Sequence, residues 1–286
     1  MAAGKYSYMI KYLAFILSFT MTLSITNAQS EQSGHYAVVN GLKMYYEIRG
    51  SGKPLVLIHG GGSTIESTFG RLLPEFSKAH QVIAVEMQAH GHTLDIDRTS
   101  SFEQDADDVA ALLRQLKIEK ADIMGFSNGG MDALQIAVRH PQLVRRLILA
   151  STPFRRAGMQ AGFWEGLQHA TLSNMPPPLK EAYLRANPDE LGLRAMFDRD
   201  RTRMLAFKDF SDSDVQAIQA PTLVMDGDAD VVRPEHALEL SRTLPHAKLC
   251  ILPGGHGEYI GDICFPNKNS NIPLLAAGII EEFLKE

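Results

Sequence analysis

Strand-like and helix-like runs alternate along most of this chain, and that order constrains its fold more than any other feature. Pro54 to Ile58 reads as a buried strand, and a helix is expected over 67–79. Val82 to Val85 is the next strand. The run from Phe102 to Leu116 follows, with Val109, Leu112, Leu113 and Leu116 at helical spacing. A strand over 122–125, a helix to about residue 140 and a strand over 147–150 continue the pattern. Such alternation implies a parallel sheet covered by helices on both faces. Two further strands, 35–39 and 42–49, precede it. Asn40-Gly41 joins them, and this pair between strand-like runs is a strong hairpin signal.

From Pro153 to Ala220 the rhythm stops. The stretch holds Phe163, Trp164, Met175, Met196 and Phe197, and Pro176-Pro177-Pro178 interrupts it. It is too long for an ordinary sheet connection. It reads as an inserted helical cap over 153–220, with most of its aromatics in ordinary core packing and its inner face shaping an apolar pocket. The alternation resumes with a strand over 222–225, a helix over 235–244, a strand over 248–252 and a closing helix over 273–285. The fold expected is α/β: a mostly parallel eight-stranded sheet, its core formed by residues 29–152 and 221–286.

Residues 1–28 read as a targeting segment outside that fold. Lys5 and Lys11 supply a positive start, and Tyr12 to Ile25 is an apolar core of about 14 residues. Thr26-Asn27-Ala28 suits cleavage after Ala28. The apolar run falls short of the roughly 20 residues that span a bilayer. The expectation is a cleaved secretory signal, a secreted or periplasmic product and no stable membrane anchor afterwards. Cys250 and Cys264 are the chain's two cysteines. An oxidising compartment permits a bridge between them, across a loop of about 15 residues; two separate thiols are the alternative. The net charge of −5 gives no electrostatic reason to expect nucleic acid as a partner.

The chemistry centres on Gly125-Phe126-Ser127-Asn128-Gly129, a Gly-x-Ser-x-Gly at a strand-to-helix junction. A sharp turn there pushes Ser127 out of the sheet, and the two glycines let strand and helix approach. The helix starting at Asn128 aims its N–H groups and positive dipole end at the hydroxyl. His59-Gly60-Gly61-Gly62-Ser63 follows a buried strand. It lacks a Gly-Lys-Ser/Thr ending and Gly-x-Gly-x-x-Gly spacing, so it reads as a loop bringing backbone N–H groups to a ligand rather than a phosphate cradle. His90 and His92 have no further ligands at convincing spacing, so no metal is expected, and no motif calls for a cofactor. The acidic group Glu103, Asp105, Asp107 and Asp108 reads as a solvated helix start.

Taken together, these motifs resemble the α/β-hydrolase fold family, in its capped, serine-nucleophile form, over residues 35 to 286. Four features match in order: the His59-Gly60-Gly61-Gly62 loop, the Glu86 to Thr93 turn, the Ser127 elbow, and two late strand ends bearing an acid and a histidine. Glu86 and Thr93 stand where the family usually has Asp and Ser. The resemblance implies Ser127 as nucleophile and His256 as its base. Asp228 and Asp230 compete to orient that histidine; the family pattern favours Asp230, and Asp226 sits inside the strand end. It also implies an oxyanion hole from the backbone N–H groups of Gly61 and Asn128, with His59 as a loop brace. A serine excludes the aspartate chemistry of epoxide hydrolases and haloalkane dehalogenases of this fold. The chain lacks the His-Gly-Gly-Pro-Gly stretch of proline iminopeptidases, and the asparagine and tryptophan pattern of meta-cleavage hydrolases. The expected function is a carboxylesterase acting on a small, partly apolar ester. Lactone or hydrolytic carbon–carbon cleavage is the alternative, and a non-catalytic binding protein the reading from another class. No motif marks the substrate-binding residues.

Overall fold

The computed structural model describes residues 34–265 and 267–286. The expected signal segment lies outside the described residues. Eight strands form one sheet in the order β1-β2-β4-β3-β5-β6-β7-β8. β1 (Gly34–Val39) and β2 (Leu42–Arg49) pair antiparallel, and β2 is antiparallel to β4 (His80–Val85). Asn40 and Gly41 both take positive φ, 47° and 84°, as a two-residue hairpin turn requires. β3 (Lys53–Ile58), β4, β5 (Ala121–Phe126), β6 (Val144–Ala150), β7 (Thr222–Gly227) and β8 (Ala247–Leu252) run parallel.

Helices cover both faces. Alternate residues of β3 show why: Val56 and Ile58 enter one apolar cluster, Leu55 and Leu57 the other. α3 (Phe102–Gln115) and α4 (Asn128–Arg139) supply Leu112, Leu113, Met131 and Leu134 to the first cluster. The second takes Phe69 from α1 (Ile65–Phe69) and Phe76 from α2 (Leu73–Phe76). It also takes Ile280 and Phe283 from α10 (Ile272–Lys285). The single helix expected over 67–79 is thus two short ones. The chain breaks at Gly70, where a Cβ would overlap the Glu66 carbonyl. α9 (Pro234–Thr243) follows β7. Among the described residues no helix is long and apolar enough to cross a membrane.

Between β6 and β7 the described chain has helices and no strand of the sheet. These are α5 (Phe163–Gln168), α6 (Pro177–Ala186), α7 (Glu190–Leu205) and α8 (Asp212–Gln216). Met175, Tyr183, Leu193 and Met196 form a small apolar cluster of their own with Ala89.

Two expectations fail. Asp105 and Asp108 do not lie on a solvated face; both are buried, one paired with Arg203 and the other with Arg98. Cys250 and Cys264 are free thiols rather than a bridge. Their surroundings differ: Cys250 packs against the second apolar cluster, while the Cys264 N–H donates to Asp262 Oδ1 at 2.9 Å. Burial and then the Asp262 charge push the Cys264 thiol up to about 12.

Candidate active site

The C-terminal ends of the parallel strands gather the residues singled out in the sequence, as in open α/β sheets generally. Ser127 joins β5 directly to α4. Its φ of 54° and ψ of −117° are strained for a residue with a Cβ. Neighbouring glycines permit the turn. A Cβ on Gly125 would overlap the Gly129 carbonyl, and one on Gly129 would overlap the Ile58 carbonyl. The Ser127 N–H donates to the Ala150 carbonyl at 2.9 Å, fastening the elbow to β6.

His256 follows β8 in a glycine-rich loop. Its Nε2 lies 3.0 Å from Ser127 Oγ, and its Nδ1 lies 2.7 Å from Asp230 Oδ1. Asp230 also accepts from the Val232 N–H at 3.0 Å and the Ser151 hydroxyl at 2.7 Å. Burial raises the affinity of Asp230 for a proton, but the hydrogen bond and charge of His256 outweigh it and bring the carboxyl down to about 2. Asp228 is exposed and accepts from the Gly254 N–H at 2.9 Å. Of the two competing acids, Asp230 is the one beside the histidine. Asp226 is buried behind it. Its Oδ1 accepts from the Gly227 N–H at 3.0 Å, and its Oδ2 has no hydrogen-bond partner. Burial and then the Asp230 charge push Asp226 up to about 9, so it is a neutral acid at pH 7.

Gly61 and Asn128 border the same cavity as Ser127 and His256. A Cβ on Gly61 would press on the Asn128 side chain, so the two loops touch. The cavity measures about 370 Å³. Phe163, Leu167, Met175, Leu179, Phe197 and Met204 give it an apolar wall. Such a site is the usual form of a small-molecule pocket.

His59 braces its loop. Its Nδ1 meets the Gly60 carbonyl at 2.8 Å, and its Nε2 accepts from the Met87 N–H at 3.2 Å. Burial, then the nearby His90, hold it down to about 3, so it is neutral and Nδ1 carries the proton. Glu86 accepts from the His92 N–H at 2.6 Å, and its carboxylate lies 2.9 Å from His92 Nδ1. The turn carrying His90 and His92 is therefore internally tied. Among the described residues no group of three metal-ligating side chains could hold an ion.

Sequence reasoning missed Asp200. It lies on α7, lines the cavity, and accepts from the Gly62 N–H at 2.6 Å. His90 Nε2 is 2.9 Å away, and Arg203 Nη2 donates at 2.8 Å. The helical spacing of Leu193, Met196, Asp200, Arg203 and Met204 was the available signal. It sets two charged residues on an apolar face, where they must find partners.

A family model of the alpha/beta hydrolase fold matches residues 53–182. Two curated relatives are also similar. One is a 2-hydroxy-6-oxo-2,4-heptadienoate hydrolase of Pseudomonas putida (strain F1). It is 28% identical over 265 residues, covering 82% of this chain and 93% of that protein. The other is a 2-hydroxymuconate semialdehyde hydrolase of Pseudomonas sp. (strain CF600), 34% identical over 142 residues, or 48% of each chain. The chain thus matches about half the length of that relative. Among solved structures, the enol-lactonase from Burkholderia xenovorans LB400 superposes with a TM-score of 0.69 at 22% identity. The superposition covers 88% of this chain and all of that one. With its sheet order, elbow and strand-end acid and histidine, this chain has the α/β-hydrolase fold. It is a hydrolase of that fold, and its relatives act on small molecules.

Proposed function

We propose that this protein is a secreted serine hydrolase that cleaves a small, partly apolar carboxylic ester through an acyl-enzyme. The observation that carries this reading is the continuous contact from Ser127 Oγ to His256 at 3.0 Å and on to Asp230 at 2.7 Å, opening on a largely apolar cavity.

The geometry supports the following roles. Ser127 Oγ attacks the ester carbonyl while its proton passes to His256 Nε2. The negative charge that develops on the carbonyl oxygen is met by the N–H groups of Gly61 and Asn128. Asp230 stabilises the imidazolium by accepting from Nδ1. The intermediate collapses as His256 protonates the leaving alcohol. Water, deprotonated by the same histidine, then attacks the acyl-enzyme and releases the acid. Residues 153–220 act as a cap whose inner side chains size the pocket, on a core of residues 29–152 and 221–286. Residues 1–28 direct export as a secretory signal that is cleaved after Ala28, which N-terminal sequencing of the mature protein tests.

A second reading has its own support. The curated relatives are named as hydrolases of 2-hydroxymuconate semialdehyde and of a 2-hydroxy-6-oxo-dienoate. These names favour hydrolytic carbon–carbon cleavage on the same three residues, and lactone opening is the further alternative. The test is product release from p-nitrophenyl esters of increasing acyl length, beside a lactone series and a 2-hydroxy-6-oxo-dienoate, for wild type and Ser127→Ala. Ester turnover that disappears in Ser127→Ala supports the first reading. Turnover confined to the dienoate or the lactones replaces it with the second. A folded wild type that no serine-directed covalent probe labels overturns both.

A further inference from the structure

The loop proposed to hold the oxyanion is Gly60-Gly61-Gly62, three of the most flexible residues a chain can carry. A donor on such a loop is useful only if its direction is fixed. Two peptide planes meet at the Gly61 Cα. The first contains the Gly60 carbonyl and the Gly61 N–H, and His59 Nδ1 fixes it through the Gly60 oxygen at 2.8 Å. The second contains the Gly62 N–H, and Asp200 Oδ2 fixes it at 2.6 Å. One anchor is adjacent in sequence. The other comes from α7, 138 residues away. Among the described residues it is the only hydrogen bond between the segment joining β6 to β7 and this loop.

Asp200 carries a cost. A carboxylate lining the same cavity as Ser127 repels an oxyanion. Its neighbours offset that charge. Burial favours the neutral acid, but the charges of His90 and Arg203, the His90 hydrogen bond and the Gly62 N–H outweigh burial and keep Asp200 ionised. Arg203 is shared with Asp105, and Asp132 lies 3.9 Å from it. Asp132 has no hydrogen bond on either oxygen, and burial, then the charge of Asp105, push it well up, so it is neutral. His90 is therefore the cation given over to Asp200. The groups facing it are Asp200 and Arg203 on α7, His59 beside it, Asp105 on α3 and the Gln88 carbonyl, 2.9 Å from its Nδ1. Burial lowers His90, but the Asp200 charge and hydrogen bond prevail and raise it.

Building on the serine-hydrolase reading, we propose that Asp200 is a positioning residue that links helix α7 to the oxyanion loop, with His90 as the cation that neutralises it there. The loop is competent only while α7 is seated on it, so the segment that shapes the pocket also completes the oxyanion site.

The experiment compares Asp200→Asn, Asp200→Ala and His90→Gln with wild type and Ser127→Ala. Its readouts are kcat and KM on p-nitrophenyl butyrate and the affinities of two ligands. One is a trifluoromethyl ketone, which forms a tetrahedral oxyanion on a serine; the other is butyrate, which does not. Asp200→Ala is expected to lower kcat by about 10- to 100-fold, with KM nearly unchanged. Ketone affinity should fall by a similar factor and butyrate affinity should hold. Asp200→Asn keeps the shape and an acceptor for Gly62, and guards against loss of folding. It should retain most of kcat and lose the pH dependence that His90 supplies. That dependence has a definite sign. A raised histidine is protonated below its folded pKa, so wild-type kcat declines as pH rises through it and Asp200 is left uncompensated. His90→Gln should lack that limb at a lower plateau. Equal losses of ketone and butyrate affinity in folded Asp200→Ala, or wild-type values for both, would overturn the proposal. Activity surviving in Ser127→Ala would remove the serine-hydrolase reading itself, a separate and recognisable failure.

Discussion

Two buried carboxylate clusters adjoin the cavity, and they solve the same electrostatic problem differently. Behind His256, Asp226 and Asp230 sit together, with the His256 imidazole as their one side-chain partner of basic type among the described residues. One carboxyl ionises and the other keeps its proton, so the pair holds a single negative charge. Beneath α7, Asp105, Asp132 and Asp200 surround Arg203 and His90. There one acid stays neutral and two are matched by two cations. The first cluster is built to give charge to a moving proton. The second is built to hold elements that lie far apart in the chain. A buried aspartate therefore says little until its cations are counted.

The largest effect that separates the clusters should come from Asp230→Asn. It keeps the shape and removes the charge that orients His256, and ester turnover should fall by about 10⁴-fold. Asp226→Asn replaces an acid that is already neutral, and kcat at pH 7 should stay within about threefold of wild type on the same linkage logic. A loss comparable to that of Asp230→Asn would end the distinction between the two acids.

Next in size is Arg203→Met. It strands Asp105 and Asp200 without their shared cation, and breaking a buried pair in this way typically costs about 3–5 kcal/mol. Urea unfolding at pH 7 measures it. A change below about 1 kcal/mol would mean the cluster carries no structural charge balance.

A further test lies in the pH dependence of stability. The Asp226 carboxyl is raised from 3.8 in the unfolded chain to about 9 when folded. The folded state thus binds its proton more tightly. The stabilisation is complete below pH about 4 and is lost progressively as pH rises through about 9. Asp226→Asn should flatten that slope, read as denaturation midpoints at pH 5, 7 and 9. Smallest of all is the response to reductant. With Cys250 and Cys264 free, dithiothreitol should leave the melting temperature unchanged.

The two clusters also differ in how far the sequence reveals them. Ser127, Asp230 and His256 were legible because each sits where a strand ends, in a local pattern of glycines and apolar runs. The strands themselves fell within a few residues of their observed bounds, since their periodicity is local. Gly70 carried a legible warning, a poor helix former inside an expected helix. The α7 cluster was not legible in this way. Asp105 looked like a helix-dipole partner, and its burial depends on Arg203, 98 residues further along. Asp108 meets Arg98 from a neighbouring loop. Such pairings exist only after the chain has folded, and helix spacing alone hints at the face without naming the partner. For the cysteines, the sequence left both a bridge and separate thiols open, and the structure has free thiols.

The backbone at Ser127 has a consequence for anyone evolving this protein. At φ 54° and ψ −117° a serine is strained by about 1–3 kcal/mol, and glycine meets that conformation without the penalty. A library screened for survival of heating alone should therefore enrich Ser127→Gly, trading the nucleophile for a more robust shell. Only a selection that demands turnover at every round keeps the hydroxyl.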